Sequence, residues 1–155
     1  MTDSLLTIET ILKPELALCR ASGTSKKRIL EFIAEQVAMH HPELNETQIF
    51  NNLVSRERLG STGIGQGIAI PHCRLEGCSQ VTGTLITLED GVAFDAIDNQ
   101  PVDLLFALIV PKEATSEHLE LLSQLAEKFN DRSFCDQLRQ CTDSQSLYQC
   151  MIGQS

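Results

Sequence analysis

The chain reads as a single α/β domain, a sandwich in which helices flank a mixed, mostly parallel β-sheet. Three observations lead there. The run Val102 to Val110, VDLLFALIV, is almost wholly apolar and stops at Pro111, which is the signature of a central strand covered on both faces. Segments with strand character alternate along the chain with segments whose apolar residues recur at helical spacing. A length of 155 residues with 42% apolar composition is enough for one ordinary core, so residues 1–155 are expected to form one domain without linker, repeat or low-complexity segment.

Residues 1 to 14 hold Leu5, Leu6, Ile8, Ile11 and Leu12, a short helix turn or an arm that stops near Pro14. Leu16 to Ala21 is a first strand, and Thr24 or Ser25 caps the helix that follows. Ile29, Phe32, Ile33 and Val37 form its apolar stripe, which His40-His41-Pro42 closes. Lys26, Lys27 and Arg28 lie in its first turn, where the helix dipole prefers anions; they are a solvated surface or a basic spot for an acidic or phosphorylated partner.

Asn45 with Gln48 resembles a capping box and opens a second helix, with Ile49, Phe50, Leu53 and Val54 inward and Gly60 as its left-handed terminator. Gly67 to Pro71 is a short strand and Val81 to Leu88 a longer one, followed by a turn at Glu89-Asp90-Gly91 and a polar turn from Asp95 to Gln100. Beyond the central strand, Thr115 or Ser116 caps a helix in which His118, Leu122, Leu125 and Phe129 share a stripe. Asp131 to Gln140 and Asp143 to Ile152 are two further helices, the last with Leu147 and Met151 inward.

Twelve basic against twenty-one acidic residues give a net charge of -9, which disfavours sequence-independent attraction to nucleic acid or to an anionic membrane. No run is long enough for a membrane span and the start lacks the basic flank and apolar core of a secretory signal, so the expectation is a cytoplasmic protein without membrane insertion. Six cysteines show no CxxC pair and no zinc-type spacing with the histidines, and they read mainly as reduced thiols, several in the core.

The chemistry is concentrated in Ser55 to Arg74, SRERLGSTGIGQGIAIPHCR, which holds four of the nine glycines. It lacks the Lys-Ser/Thr of a P-loop, and its GIGQG is followed by a strand and Pro71 instead of a helix, which excludes the two common nucleotide-binding loops. A tight loop whose N–H groups line an anion site is what remains. His72, next to Pro71 at a strand end, is either a structural histidine or a nucleophile that attacks phosphorus through one ring nitrogen while the other is held by a carbonyl.

His118, at a helix start, either packs beside Leu122 or donates to phosphoryl oxygens with the helix N-terminus behind it. Arg56 is a guanidinium fork for phosphoryl oxygens, oriented by Glu57, or part of a solvated helix end. Cys73 beside His72 raises a Cys-His nucleophile pair, against which adjacent residues project apart.

The string RERLGSTGIGQGIAIPH closely resembles the signature of the type-2 enzyme IIA domains of the bacterial phosphoenolpyruvate-dependent phosphotransferase system. AFDAIDNQPVDLLFALIVP, Glu117-His118-Leu119 and SKKRILEFIA resemble the same family's other landmarks, so nearly the whole chain is covered. The free-standing domain is most similar to the nitrogen-regulatory branch, with fructose- and mannitol-type enzymes IIA as the near alternative.

The resemblance implies that His72 is the phosphorylated histidine, His118 the second active-site histidine and Arg56 the arginine of the motif, with no cofactor and no metal. It implies in-line transfer from a phosphohistidine of an HPr-like carrier to His72 at Nε2, helped by Arg56, His118 and loop N–H groups. The carrier would dock on an apolar depression around His72, and phosphorylation state would decide which target proteins bind. Two other classes stand beside it: a binding module that works unphosphorylated, and a metal or Cys-His hydrolase.

Overall fold

The computed structural model describes residues 7–23, 25–113 and 117–153, with the backbone alone for Glu117 and His118. Helix α1 (Ile8–Ile11) runs into strand β1 (Leu12–Ala21), followed by α2 (Lys26–His40), α3 (Glu46–Leu59), β2 (Gly63–Gly65), β3 (Ile68–Ala69), β4 (His72–Leu75), β5 (Thr82–Val92), β6 (Val102–Pro111), α4 (Glu117–Phe129), α5 (Arg132–Gln140) and α6 (Ser144–Ile152). None of the described helices is long and apolar enough to cross a membrane.

Four of the helices start where a short polar side chain takes up a free backbone N–H. Arg28 donates to Ser25, Gln48 to Asn45, Phe134 to Asp131 and Ser146 to Asp143, each cap contributing about 1 kcal/mol. Thr24, Thr115, Ser116, Leu5 and Leu6, named as caps or apolar residues above, lie outside the described residues.

The sheet has six strands in the order β1-β5-β6-β3-β2, with β4 also on β6. Three of the five pairings are parallel, and the long β5–β6 pair is antiparallel, so the sheet is mixed as expected. Strand β6 lies between β5 on one edge and β3 followed by β4 on the other. Its apolar run serves two cores. Leu105, Ala107 and Ile109 face α2 and α3, together with Cys73, Leu75 and Ile86. Leu104, Phe106, Leu108 and Val110 face the α1, α4, α5 and α6 side, together with Leu125, Phe129, Leu138 and Met151. Full burial of each Leu, Ile, Val, Phe or Met side chain among them stabilises the fold by about 1.5–3 kcal/mol.

Along β6 the partner of each residue of β3 and β4 lies 36 positions later: Ile68 with Leu104, Ala69 with Leu105, His72 with Leu108 and Leu75 with Pro111. The two short strands are therefore one line, interrupted at Ile70 and Pro71. Pro71 has no N–H to give the ladder, but its carbonyl accepts from Leu108 N at 2.9 Å, and the Ile70 N–H turns away to Thr62 O at 3.0 Å.

Several expectations are corrected. Strand β1 begins at Leu12 and passes through Pro14; it is an edge strand, where a missing donor on the open side costs no ladder bond. The segment Gly67 to Pro71 is not one strand but the second half of a tight hairpin and the start of the β3–β4 line. Glu89-Asp90-Gly91 is not a turn: β5 continues through it to Val92 behind a register shift after Thr87. Gly60 closes α3 at φ +155° and ψ 145°, a region open almost only to glycine but extended rather than left-handed helical. On α4 the buried stripe is Leu121, Leu125 and Phe129, with Leu122 half-buried beside it.

The β2–β3 hairpin turns at Gln66 (φ 59°) and Gly67 (φ 81°), two consecutive left-handed residues that match the right-handed twist of the strands. A Cβ on Gly67 would stand 2.8 Å from Arg139 Nη2 and 2.9 Å from Asp103 Oδ1. Gly67→Ala is therefore expected to cost about 1–3 kcal/mol, read from the shift of the urea unfolding midpoint at unchanged slope.

Candidate functional site

Helix α3 brings Arg56 to the site from its last turn, and the β3–β4 line brings His72 as the first residue of β4. The His72 Nδ1 lies 2.8 Å from the carbonyl oxygen of Ile70. A carbonyl can only accept, so Nδ1 carries the proton and the neutral ring keeps its lone pair on Nε2. Arg56 Nε donates to that Nε2 at 3.3 Å, while its Nη1 donates to Gly60 O at 3.0 Å. The guanidinium is thus tethered to the helix terminus and pointed at the imidazole. A half-buried histidine with a fixed tautomer and a guanidinium against its lone pair is arranged as a nucleophile beside an oxyanion partner.

Around the pair lies an open depression of about 500 Å³, lined by Asn52, Ser55, Arg56, Leu59, His72 and Val110 among others. Leu59 is 85% exposed at its rim, and Ile97, on the turn packed against the hairpin, is 84% exposed.

Glu57, expected to orient Arg56 from the next position, does something else. Its side chain is buried, and its carboxylate accepts from Thr62 N at 3.1 Å and from the Thr62 hydroxyl, and pairs with Lys26 Nζ at 2.9 Å. Lys26 also lies 4.8 Å from the centre of the Phe94 ring. Of the three basic residues at the start of α2, Lys26 is therefore tied, partly exposed, to the buried Glu57 carboxylate, and Arg28 pairs with Glu31 on its own helix.

Three N–H groups of the glycine-rich loop are taken up by side chains of the protein. Thr62 N–H is taken by Glu57, Gly63 N–H by Ser61 Oγ at 3.0 Å, and Gln66 N–H by Asp98 Oδ2 at 2.9 Å. Asp98 accepts from Gln66 N and Gln100 N, and these bonds hold its carboxyl below the usual range. Arg139 reaches the same turn from α5, donating to Gln66 O at 2.8 Å and to Asp103 Oδ1 at 3.0 Å. Sequence reasoning missed Thr62, Asp98 and Arg139 as supports of the loop, since each acts across at least five residues of chain with no periodicity to announce it. The Asp98-Asn99-Gln100 turn chemistry was the one available signal.

His118 is the second residue of α4, which starts six residues after β6 ends. Its side chain lies outside the described residues, so the expected pairing with His72 stays a proposal. Among the described residues no group of three His, Cys, Asp or Glu side chains gathers as a metal site.

Cys73 points away from His72 into the core under α2 and α3, and burial, with a smaller contribution from Cys78, pushes its thiol up to about 12. This counters a Cys-His nucleophile pair. At pH 8 such a thiol is ionised in only about one molecule in ten thousand. Iodoacetamide at pH 8 should leave Cys73 unmodified in the folded protein and modify it after unfolding in guanidinium, as read by peptide mass spectrometry; rapid native modification would contradict the assignment.

Residues 10–153 match the family described as the phosphoenolpyruvate-dependent sugar phosphotransferase system, EIIA 2. A nitrogen regulatory protein of Pseudomonas aeruginosa is 49% identical over 148 residues, covering 96% of each chain. The nitrogen regulatory protein IIA-Ntr of Neisseria meningitidis, known from a crystal structure, superposes with a TM-score of 0.87 at 40% identity, covering 93% of this chain and 98% of its own. IIA mannitol of Escherichia coli shares the fold, with a TM-score of 0.74 at 18% identity over 90% of this chain and 97% of its own.

Proposed function

We propose, for a chain that belongs to the EIIA type-2 family of the phosphoenolpyruvate-dependent sugar phosphotransferase system, that it is a phosphocarrier of the nitrogen-regulatory branch which accepts a phosphoryl group on His72 Nε2 and regulates target proteins by its phosphorylation state. The observation that carries this reading is the pair of contacts on the imidazole, Ile70 O on Nδ1 and Arg56 Nε on Nε2. The identities of 49% and 40% to nitrogen regulatory proteins, against 18% to a mannitol enzyme, favour the regulatory branch over a sugar-specific one.

The donor is a phosphohistidine on an HPr-like carrier. The His72 Nε2 lone pair forms a P–N bond as the P–N bond to the carrier's imidazole breaks, and the carrier's ring takes back its electron pair. No proton need move at His72, because Nδ1–H stays on the Ile70 carbonyl throughout. Arg56 exchanges a 3.3 Å bond to Nε2 for bonds to the phosphoryl oxygens, which stabilises charge where it develops. His118, at the start of α4, adds a donor to the same oxygens. Phosphorus passes between two imidazoles of similar leaving ability, so catalysis is positioning and charge stabilisation.

The carrier docks over the depression with Leu59 at its rim, and the net charge of -9 steers a basic face toward it. Once phosphorylated, His72 carries close to two additional negative charges beside that apolar rim, enough to change which proteins bind there.

His72→Ala should abolish acid-labile, base-stable labelling by phosphoenolpyruvate, enzyme I and carrier, and full labelling of that variant would refute the assignment. Arg56→Ala should slow labelling by about 100- to 1000-fold with little change in thermal stability. His118→Ala should slow transfer more than it harms folding, and unchanged transfer kinetics would remove His118 from the site.

A further inference from the structure

We propose that the Lys26–Glu57 pair, whose carboxylate is buried, is a positioning device for the reaction at His72, acting through Thr62 and Ile70 on one side and through the end of α3 on the other. The inference rests on the reading of His72 as phosphoryl acceptor, and adds to it two residues that do not touch the reacting atoms.

A continuous set of contacts joins the pair to the imidazole. Lys26 Nζ holds Glu57 Oε1 at 2.9 Å. The same oxygen accepts from Thr62 N at 3.1 Å, and Oε2 accepts the Thr62 hydroxyl. Thr62 O then accepts from Ile70 N at 3.0 Å, and Ile70 O accepts from His72 Nδ1. Ile70 is the residue where the β3–β4 line leaves its ladder with β6, so its carbonyl direction is not set by sheet pairing. Thr62 supplies what the sheet does not.

The second arm is shorter. Arg56 and Glu57 are consecutive on the last turn of α3, and their side chains leave the helix about 100° apart. Glu57 locked inward, with its side chain only 5% exposed, fixes how the helix end is rotated and so where Arg56 emerges. Both partners of the Arg56 Nε to His72 Nε2 contact are therefore referred to one carboxylate.

A merely structural ion pair would leave the site unchanged in molecules that remain folded, whereas a misplacement of about 1 Å at a reacting group slows a reaction by about 100-fold.

The test uses the full chain with ¹⁵N-labelled imidazoles. In the unsubstituted protein His72 should show a single Nδ1–H tautomer at pH 8. Glu57→Ala, which removes the acceptor for Thr62, should give a mixture of tautomers and lower kcat for phosphoryl acceptance by about 10- to 100-fold. KM for the phosphorylated carrier should change less than kcat, because Glu57 does not itself line the docking depression. Glu57→Gln keeps an oxygen for Thr62 N–H and should recover part of both signals.

Folded Glu57→Ala protein with an intact tautomer and unchanged kcat would overturn the proposal. If that variant does not fold, Glu57→Met fills the space without the acceptor and is judged by the same two signals. Should the unsubstituted protein accept no phosphoryl group, the reading of His72 fails, and the tautomer comparison still decides whether Glu57 positions the imidazole.

Discussion

The site depends on how residues 68 to 75 lie along β6. A single register carries this segment past Pro71, so the line can lose its ladder bond at one residue without slipping. Because side chains alternate along a strand, a slip of one position would exchange His72 with Cys73 and bury the imidazole in the α2–α3 core. The register is held by β6 itself, whose alternate residues belong to two separate cores and leave no second way to seat the strand. Where the ladder opens, Ile70 uses its N–H on Thr62 and its carbonyl on His72, converting a sheet defect into the support of the imidazole.

Charge is arranged around this support in an acidic protein. Two cations at the end of α3 are used differently: Arg56 faces the depression and lies against His72 Nε2, while Lys26, partly exposed, pairs with Glu57 beside the Phe94 ring. Three N–H groups of the glycine loop go to acidic and hydroxyl side chains of the protein, while the Arg56 guanidinium stands against His72 Nε2. An open depression with Leu59 exposed at its rim suits contact with a protein surface.

Much of this was legible in the sequence where local chemistry and final structure agree. Ser25, Asn45, Asp131 and Asp143 cap their helices as their side chains dictate, and VDLLFALIV is the central strand because only a strand covered on both faces can bury eight apolar residues out of nine. Arg56 and His72 come together as the motif implied. The hairpin was not legible, because strands of three and two residues show no period and Gln-Gly is a weaker turn signal than Asn-Gly. Glu89 to Gly91 and Pro14 were misjudged for one reason: turn and breaker propensities are local, whereas an irregular strand end and an open sheet edge tolerate such residues. Glu57 was the deepest miss, since a carboxylate between two arginines at a helix end reads as solvated until Lys26, thirty-one positions earlier, is placed against it.

The central claim is that the imidazole is held by Nδ1 and reacts through Nε2. The direct measurement is a ³¹P–¹⁵N coupling spectrum of the chain phosphorylated by its carrier, with histidine nitrogens labelled. Coupling of phosphorus to Nε2 of His72, with Nδ1 still protonated, is the result the geometry predicts. Coupling to Nδ1, or phosphorus on any other residue, would contradict it.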